Sequence, residues 1–386
     1  MTTHRTTMFA ALFGIAVANL AVAPAAPAET LTNETRKLLK DLKLGEDVLD
    51  GLDAELAVPQ AWIDGAKKEG VVKVRLPLEI QRFAGMAELF KARYPGIEVE
   101  YTRGTGPARA QQPLITFKRG TYLADVLSSW DPMEQEYRAA DALIPLSDLP
   151  AFKSIPAAYN AEGNYGVGFR LQHWCIGYNT EKVKKSDLPK TWEDILTNPR
   201  WRGGKIGMAR NVHVWLGTLW GSKGTAWVNN YIEKTFEVVK PQLRKENLRA
   251  YLKLMSIGEY DMAIPAGDFI IRTLEDDGMP ITLHCPEPVP TNAGWIGIFK
   301  GNPHPNAAKL FANWMLSKEG QIAGYRADSN IPANKGLARG EFLPYPEEVL
   351  EHRLAVRTPA AQANVVNVVK EFNRYWIAGG AGERPR

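Results

Sequence analysis

Four arginines stand where short β-branched runs end or helices begin: Arg82, Arg103, Arg170 and Arg210. A guanidinium is a flat fork of donors that matches the paired oxygens of a carboxylate or phosphate, so this placement points to capture of an anionic group. Residues suited to the same task lie beside them. Gln81 precedes Arg82, Asn211 follows Arg210, and Gly104-Thr105-Gly106 joins a strand to a helix with backbone N–H groups available to an anion. Ser129 and Trp130 open a third loop, and Trp130 and Trp295 offer indole faces that could wall a ligand. The candidate binding set is therefore Gln81, Arg82, Gly104, Thr105, Ser129, Trp130, Arg170, Arg210, Asn211 and Trp295. Each has an ordinary competing role, arginine as solvated surface and tryptophan as core.

Other chemistries are less well supplied. Glu79, Asp131 and Asp268, with the tryptophans, would suit a cationic amine, but Asp131 and Asp268 also stand where helix caps stand. In Asp131-Pro132-Met133-Glu134 the aspartate reads as a cap, with proline at the first helical position and the glutamate three residues after the cap. His173 and Cys175, two apart in a strand, share a face and could pair a base with a nucleophile. No G-x-S-x-G, H-E-x-x-H or Walker-type phosphate loop accompanies them, so the expectation is a protein that is not an enzyme. His173, His213 and His284 show no metal-ligand spacing, and neither a metal nor a cofactor is expected. Cys175 and Cys285 are the only cysteines; they fit either one disulfide or two small buried strand residues.

The elements that must position these residues alternate. Val71–Val74, a helix over 83–94, Ile97–Tyr101, a helix over 109–117 and Ala124–Leu127 follow at βαβ spacing. This predicts an α/β fold with mostly parallel sheets flanked by helices, binding ligands at the carboxyl ends of the strands. Pro145, Pro150 and Pro156 mark a crossing between two lobes, and the chain returns near Pro286–Pro290. The apolar run 8–18 followed by Ala26-Pro27-Ala28 reads as a signal peptide cleaved after Ala28, with no nearby cysteine to accept a lipid. A soluble periplasmic product of about 358 residues results, large enough for two lobes. Arg5 leaves with the leader, taking the formal charge from +4 to about +3, too mild to call for nucleic acid or a membrane surface as partner. The expected division is 1–28 signal peptide, 29–58 helical extension, 59–145 with 286–325 as lobe 1, and 146–285 with 326–386 as lobe 2.

An ordered set of segments then resembles the substrate-binding proteins of ABC transporters, in the iron, polyamine and organophosphate branch of extracellular solute-binding protein family 1. It runs Ala66–Gly70, Phe90–Val99, Ala124–Leu127, Ile176–Thr180, Leu188–Ile195, Pro199–Gly207, Asn302–Lys309 and Leu316–Gln321. The resemblance implies the two-lobed type II periplasmic-binding-protein fold and an interlobe cleft. It further implies hinge closure on a solute and delivery to an inner-membrane permease driven by an ATPase subunit, the binding protein being expected as a monomer. Ferric-iron members usually carry adjacent tyrosines, because phenolates are hard anionic ligands; here Tyr325 and Tyr375 stand alone. The expected cargo is a small anion such as an organic phosphate, phosphonate or carboxylate. A polyamine, thiamine or ferric iron is the alternative cargo, a cysteine-dependent enzyme the remote one, and a partner for a sensor kinase would use the same cleft.

Overall fold

A computed structural model describes residues 31–104, 108–343 and 353–379; the signal-peptide reading and Thr105 lie outside them. The chain begins with α1 (Asn33–Asp41), capped by Thr32, whose hydroxyl accepts from the Thr35 N–H. After α2 (Leu52–Glu55) and α3 (Gln60–Glu69), strand β1 (Val71–Leu76) alternates half-buried and buried side chains, the signature of a strand with one face on the core. Then come α4 (Ile80–Arg93), β2 (Glu98–Arg103), α5 (Ala108–Lys118), β3 (Val126–Ser128) and α6 (Glu134–Ala139). β1 pairs in parallel with both β2 and β3, as the alternation requires.

The crossing is made by β4 (Val167–Asn179), thirteen residues long and almost wholly buried. Its first half pairs with β9 (Val289–Ile298), and its second half with β7 (Met262–Gly267) and β8 (Ile281–His284). One strand thus belongs to both lobes. The second lobe adds α7 (Trp192–Thr197), begun by a Thr191/Asp194 capping box, then β5 (Ile206–Ala209), α8 (Leu216–Lys234), β6 (Gln242–Arg244), α9 (Leu248–Ser256) and α10 (Asp268–Asp276). β5 lies in parallel between β6 and β7.

β9 carries the chain back beside β3, and α11 (Pro305–Leu316) and α12 (Lys318–Asp328) pack on α3 and α4. α12 is one continuous helix through residue 328. A short β10 (Ile331–Pro332) joins β4, β11 (Leu354–Val356) joins β9, and α13 (Pro359–Ala378) packs along α8. Each lobe buries its own core. Phe83, Phe90, Phe311 and Trp314 centre the first, and Trp192, Trp201, Trp215 and Phe372 the second.

Cys175 and Cys285 form a disulfide, S–S 2.08 Å, one step along the ladder from the Ile176–His284 pair. This decides between the two readings of the cysteines. It also removes the nucleophile from the Cys175–His173 enzyme reading, since a disulfide sulfur has no thiolate to offer.

Candidate functional site

The cleft is lined where the loops of both lobes meet β4. Arg170 leaves β4 opposite Gly294 of β9, and a Cβ at 294 would stand 2.6 Å from Arg170 Nε. The absent side chain gives the guanidinium its bed. Arg170 donates from Nη1 to Asn330 Oδ1 at 3.0 Å, while its Nε is buried without a partner. Enclosure lowers its pKa, and Asp328 and Asp131 oppose that shift. An arginine keeps its charge under such conditions, so the cation is held in place and under-compensated.

A second enclosed guanidinium within range of Asp131, Arg357, is one that the sequence reading missed. Arg357, between β11 and α13, donates from Nε to Thr218 Oγ1 (3.3 Å), from Nη1 to Gln362 Oε1 (3.2 Å) and from Nη2 to the His213 carbonyl (2.6 Å). Its pKa too is lowered by enclosure, with Asp131 acting against the shift. Thr218 and Asn292 are joined at 2.7 Å, and Asn292 Nδ2 donates to the Val214 carbonyl, which fixes the floor beneath Arg357. The His213 side chain is exposed at the surface yet flanked closely by protein. That enclosure, then Arg357 and Arg109, pushes its pKa down to about 4, so the ring is neutral near pH 7.

From the first lobe, Arg109 Nε donates to the Ser129 carbonyl at 3.0 Å, and Ser129 takes a left-handed φ of 60° that aims this loop at the cleft. Gln362 at the start of α13 reaches across to the Asp131 carbonyl at 3.3 Å. Asp131 is not the cap expected from its sequence. It is the first residue of a 3-10 turn whose N-cap is Trp130, with no side-chain capping bond, and its carboxylate faces the arginines instead. Asp268 opens α10 and accepts from the His173 backbone N–H (3.1 Å) and its own neighbour Phe269 (2.7 Å), a buried structural role at the crossing.

The remaining expected residues separate. Gln81 and Arg82 line a groove of about 410 Å³ at the cleft mouth with Thr273 and Asp276 of the other lobe, and Arg82 pairs with Asp328 at 2.5 Å. Gly104 lies beneath the Arg75 and Arg109 side chains, where a Cβ would stand 3.2 Å from Arg75 Nε. Arg210 is turned outward, with Nε donating to Asn373, and Asn211 leads into a short turn without capping it. Trp130 and Trp295 are 1% and 9% exposed and pack with Tyr137 in a core cluster; Trp295 donates to the Tyr159 carbonyl. They support the loop from behind rather than wall the cleft. Position in a loop marks proximity to the cleft, but not which way an indole turns. Arg357 carried no such mark, and only its pairing through β11 brings it to the site.

No group of three or more His, Cys, Asp or Glu that could hold a metal ion occurs among the described residues. Tyr325 donates to the Glu341 carbonyl and Tyr375 stacks on Phe236. A wider depression of about 590 Å³ lies on the second lobe around Lys240 and Arg244, lined by no residue of the first.

Two lobes joined by crossing strands, with polar groups gathered between them, define a binding protein. The profile of the bacterial extracellular solute-binding protein family matches residues 85–349, and the chain belongs to that family. Solved structures share the two-lobed periplasmic-binding-protein fold. An extracellular solute-binding protein described as putative, from Bordetella parapertussis, has a TM-score of 0.68 at 18% identity, covering 80% of this chain and 99% of that one. Iron-bound HitA from Pseudomonas aeruginosa has 0.64 at 22%, covering 79% and 99%. A Trichodesmium protein in complex with iron and citrate has 0.67 at 18%, with the same coverage. An uncharacterized protein of Haemophilus influenzae is 30% identical over 185 residues, 44% of this chain and half of that relative's length. No helix among the described residues is long and apolar enough to cross a membrane.

Proposed function

We propose that this protein captures a small anionic solute between its lobes in the periplasm, without chemical change to it, and delivers it to an inner-membrane ABC permease. The reading includes a monomer and a cleaved leader without a lipid anchor. One observation carries the cargo class: Arg170, at the crossing strand, is enclosed, has an unpartnered Nε and forms no ion pair among the described residues. An enclosed cation whose neighbouring carboxylates make no direct pair with it is under-compensated, and an anionic ligand that supplies the missing oxygens recovers part of that cost. Because such a ligand touches both lobes only when they are closed, its binding energy favours the closed form that a permease would recognise. Gln81, Arg82, Gly104, Ser129, Arg170 and Asn211 remain assigned as binding residues, and Asp131, His213, Asn330, Arg357 and Gln362 join them.

The test is a melting-temperature screen of the mature protein after ligand stripping, against phosphate esters, phosphonates, carboxylates, polyamines, thiamine and Fe(III)-citrate. Saturation at one hundred times Kd adds about 2.7 kcal/mol to stability, a shift easily read. Stabilisation by simple anions supports the reading. Stabilisation by amines alone, or by Fe(III)-citrate with no response to any simple anion, overturns it.

A further inference from the structure

We infer that the solute is a di-acid gripped at both ends, one acidic group on Arg170 and the other on Arg357 of the C-terminal segment; this rests on the anionic reading above. The two guanidiniums share a distinctive chemistry. Neither forms an ion pair among the described residues, and the neighbours that hold them are neutral: Asn330 for Arg170, and Thr218, Gln362 and the His213 carbonyl for Arg357. An arginine that served only structure at such a depth would be matched to a carboxylate, as Arg93 is to Glu319 elsewhere in this fold. Neutral acceptors fix the plane of each fork and leave its charge for a ligand. Asp131 lies within electrostatic range of both and is one carboxylate for two cations. Asp328 is the largest opposing charge on Arg170 but makes its direct ion pair with Arg82, and Asp268 is held by the His173 and Phe269 N–H groups.

The strand register separates the two forks. Arg357 is tied by its backbone N–H to Thr291, whereas Arg170 lies opposite Gly294. Thr291 and Gly294 are three residues apart on β9, about 10 Å along an extended strand. Moreover, β11 pairs with β9 over residues 289–291 and β4 pairs with it over 291–296, with Arg170 towards the far end of that stretch. The guanidiniums therefore approach the cleft from separated anchor points, which suits two acidic groups joined by a short linker better than one phosphoryl group held by both. Arg170 belongs to the crossing strand and Arg357 is seated on α8 and α13 of the second lobe, so a two-ended ligand is engaged in full only when the cleft is closed.

The experiment is titration calorimetry on the stripped mature protein with linear di-acids of four to six carbons, the matching mono-acids, inorganic phosphate and methylphosphonate. It is repeated with Arg357→Gln, Arg357→Lys and Arg170→Gln, each checked for a native melting transition. The expected result is a di-acid binding at least 30-fold more tightly than its mono-acid, with Arg357→Gln removing that difference while the mono-acid still binds. Arg357→Lys retains the charge but not the fork and should fall between. Equal affinity for mono- and di-acids, phosphate binding as tightly as any di-acid, or an Arg357→Gln protein with unchanged preference overturns the two-ended inference and leaves the anionic reading intact. Loss of every anion from the wild-type protein, with binding of amines instead, overturns both.

Discussion

Glu319 offers a direct test of how the first lobe is held around the cleft. Its side chain is fully buried and accepts from four groups on three elements: Arg93 Nε (2.6 Å) and Nη2 (2.8 Å) of α4, Trp314 Nε1 (2.8 Å) of α11, and the Thr35 hydroxyl of α1. The carboxylate itself sits on α12. Glu319→Gln keeps the volume but removes the charge and turns one acceptor into a donor. Arg93, only 7% exposed, is then left as an uncompensated buried cation. Breaking one half of such a pair costs about 3–5 kcal/mol. At about 2–4 °C per kcal/mol for a unit of this size, the melting transition of the first lobe should fall by roughly 6–20 °C. Urea unfolding followed by tryptophan fluorescence measures the loss, and Arg93→Met in the Glu319→Gln background should recover most of it, because the stranded charge goes too. A Glu319→Gln protein within about 1 kcal/mol of wild type, or a double variant no more stable than the single, refutes the reasoning.

Three further outcomes follow from the same geometry. The disulfide closes a loop of sequence separation 110, and the chain-entropy argument gives at most about 4.7 kcal/mol for such a loop; Cys175→Ala with Cys285→Ala should cost roughly 2–4 kcal/mol in urea unfolding, with solute affinity changed less than threefold. The His213 ring is pushed down to about 4, so the unfolded chain binds more protons than the native one between that value and the ordinary 6.5. Its contribution to stability is full above about pH 6.5 and is lost as pH falls toward 4; melting curves of wild type and His213→Gln should diverge least at pH 7 and show a flatter acid limb for the variant. Gly294→Ala places a methyl group against Arg170 Nε and Cγ, and should weaken solute binding about tenfold by calorimetry while moving the melting temperature by only a few degrees.

Much of the architecture was legible because it rests on local periodicity. The strands at 71–76 and 98–103 and the helix between them follow from β-branched runs alternating with amphipathic ones. Arg170 was picked out as a candidate, but at a strand end or helix start, whereas it lies inside the long crossing strand β4. What escaped depends on side-chain direction or on distant pairing. Trp130 lies in a cleft loop and Trp295 on β9, but both turn into the core, where Gly166 and Gly297 make room for the Trp130 ring. Arg210 stands at a strand end yet points to Asn373. Asp131 has the sequence context of a cap, but a 3-10 turn begins one residue early and leaves its carboxylate to the arginines. Arg357 follows a three-residue strand whose register against β9, near residues 289–291, no local pattern encodes.

The central claim is that an anion closes the lobes through Arg170. Small-angle scattering of the stripped protein, with and without a saturating anion, measures closure directly and can be repeated on Arg170→Gln. The account requires the radius of gyration to fall on anion addition to wild type and to stay constant in Arg170→Gln over the same concentrations. An unchanged radius in wild type despite calorimetric binding, or full closure of the Arg170→Gln protein, would contradict it.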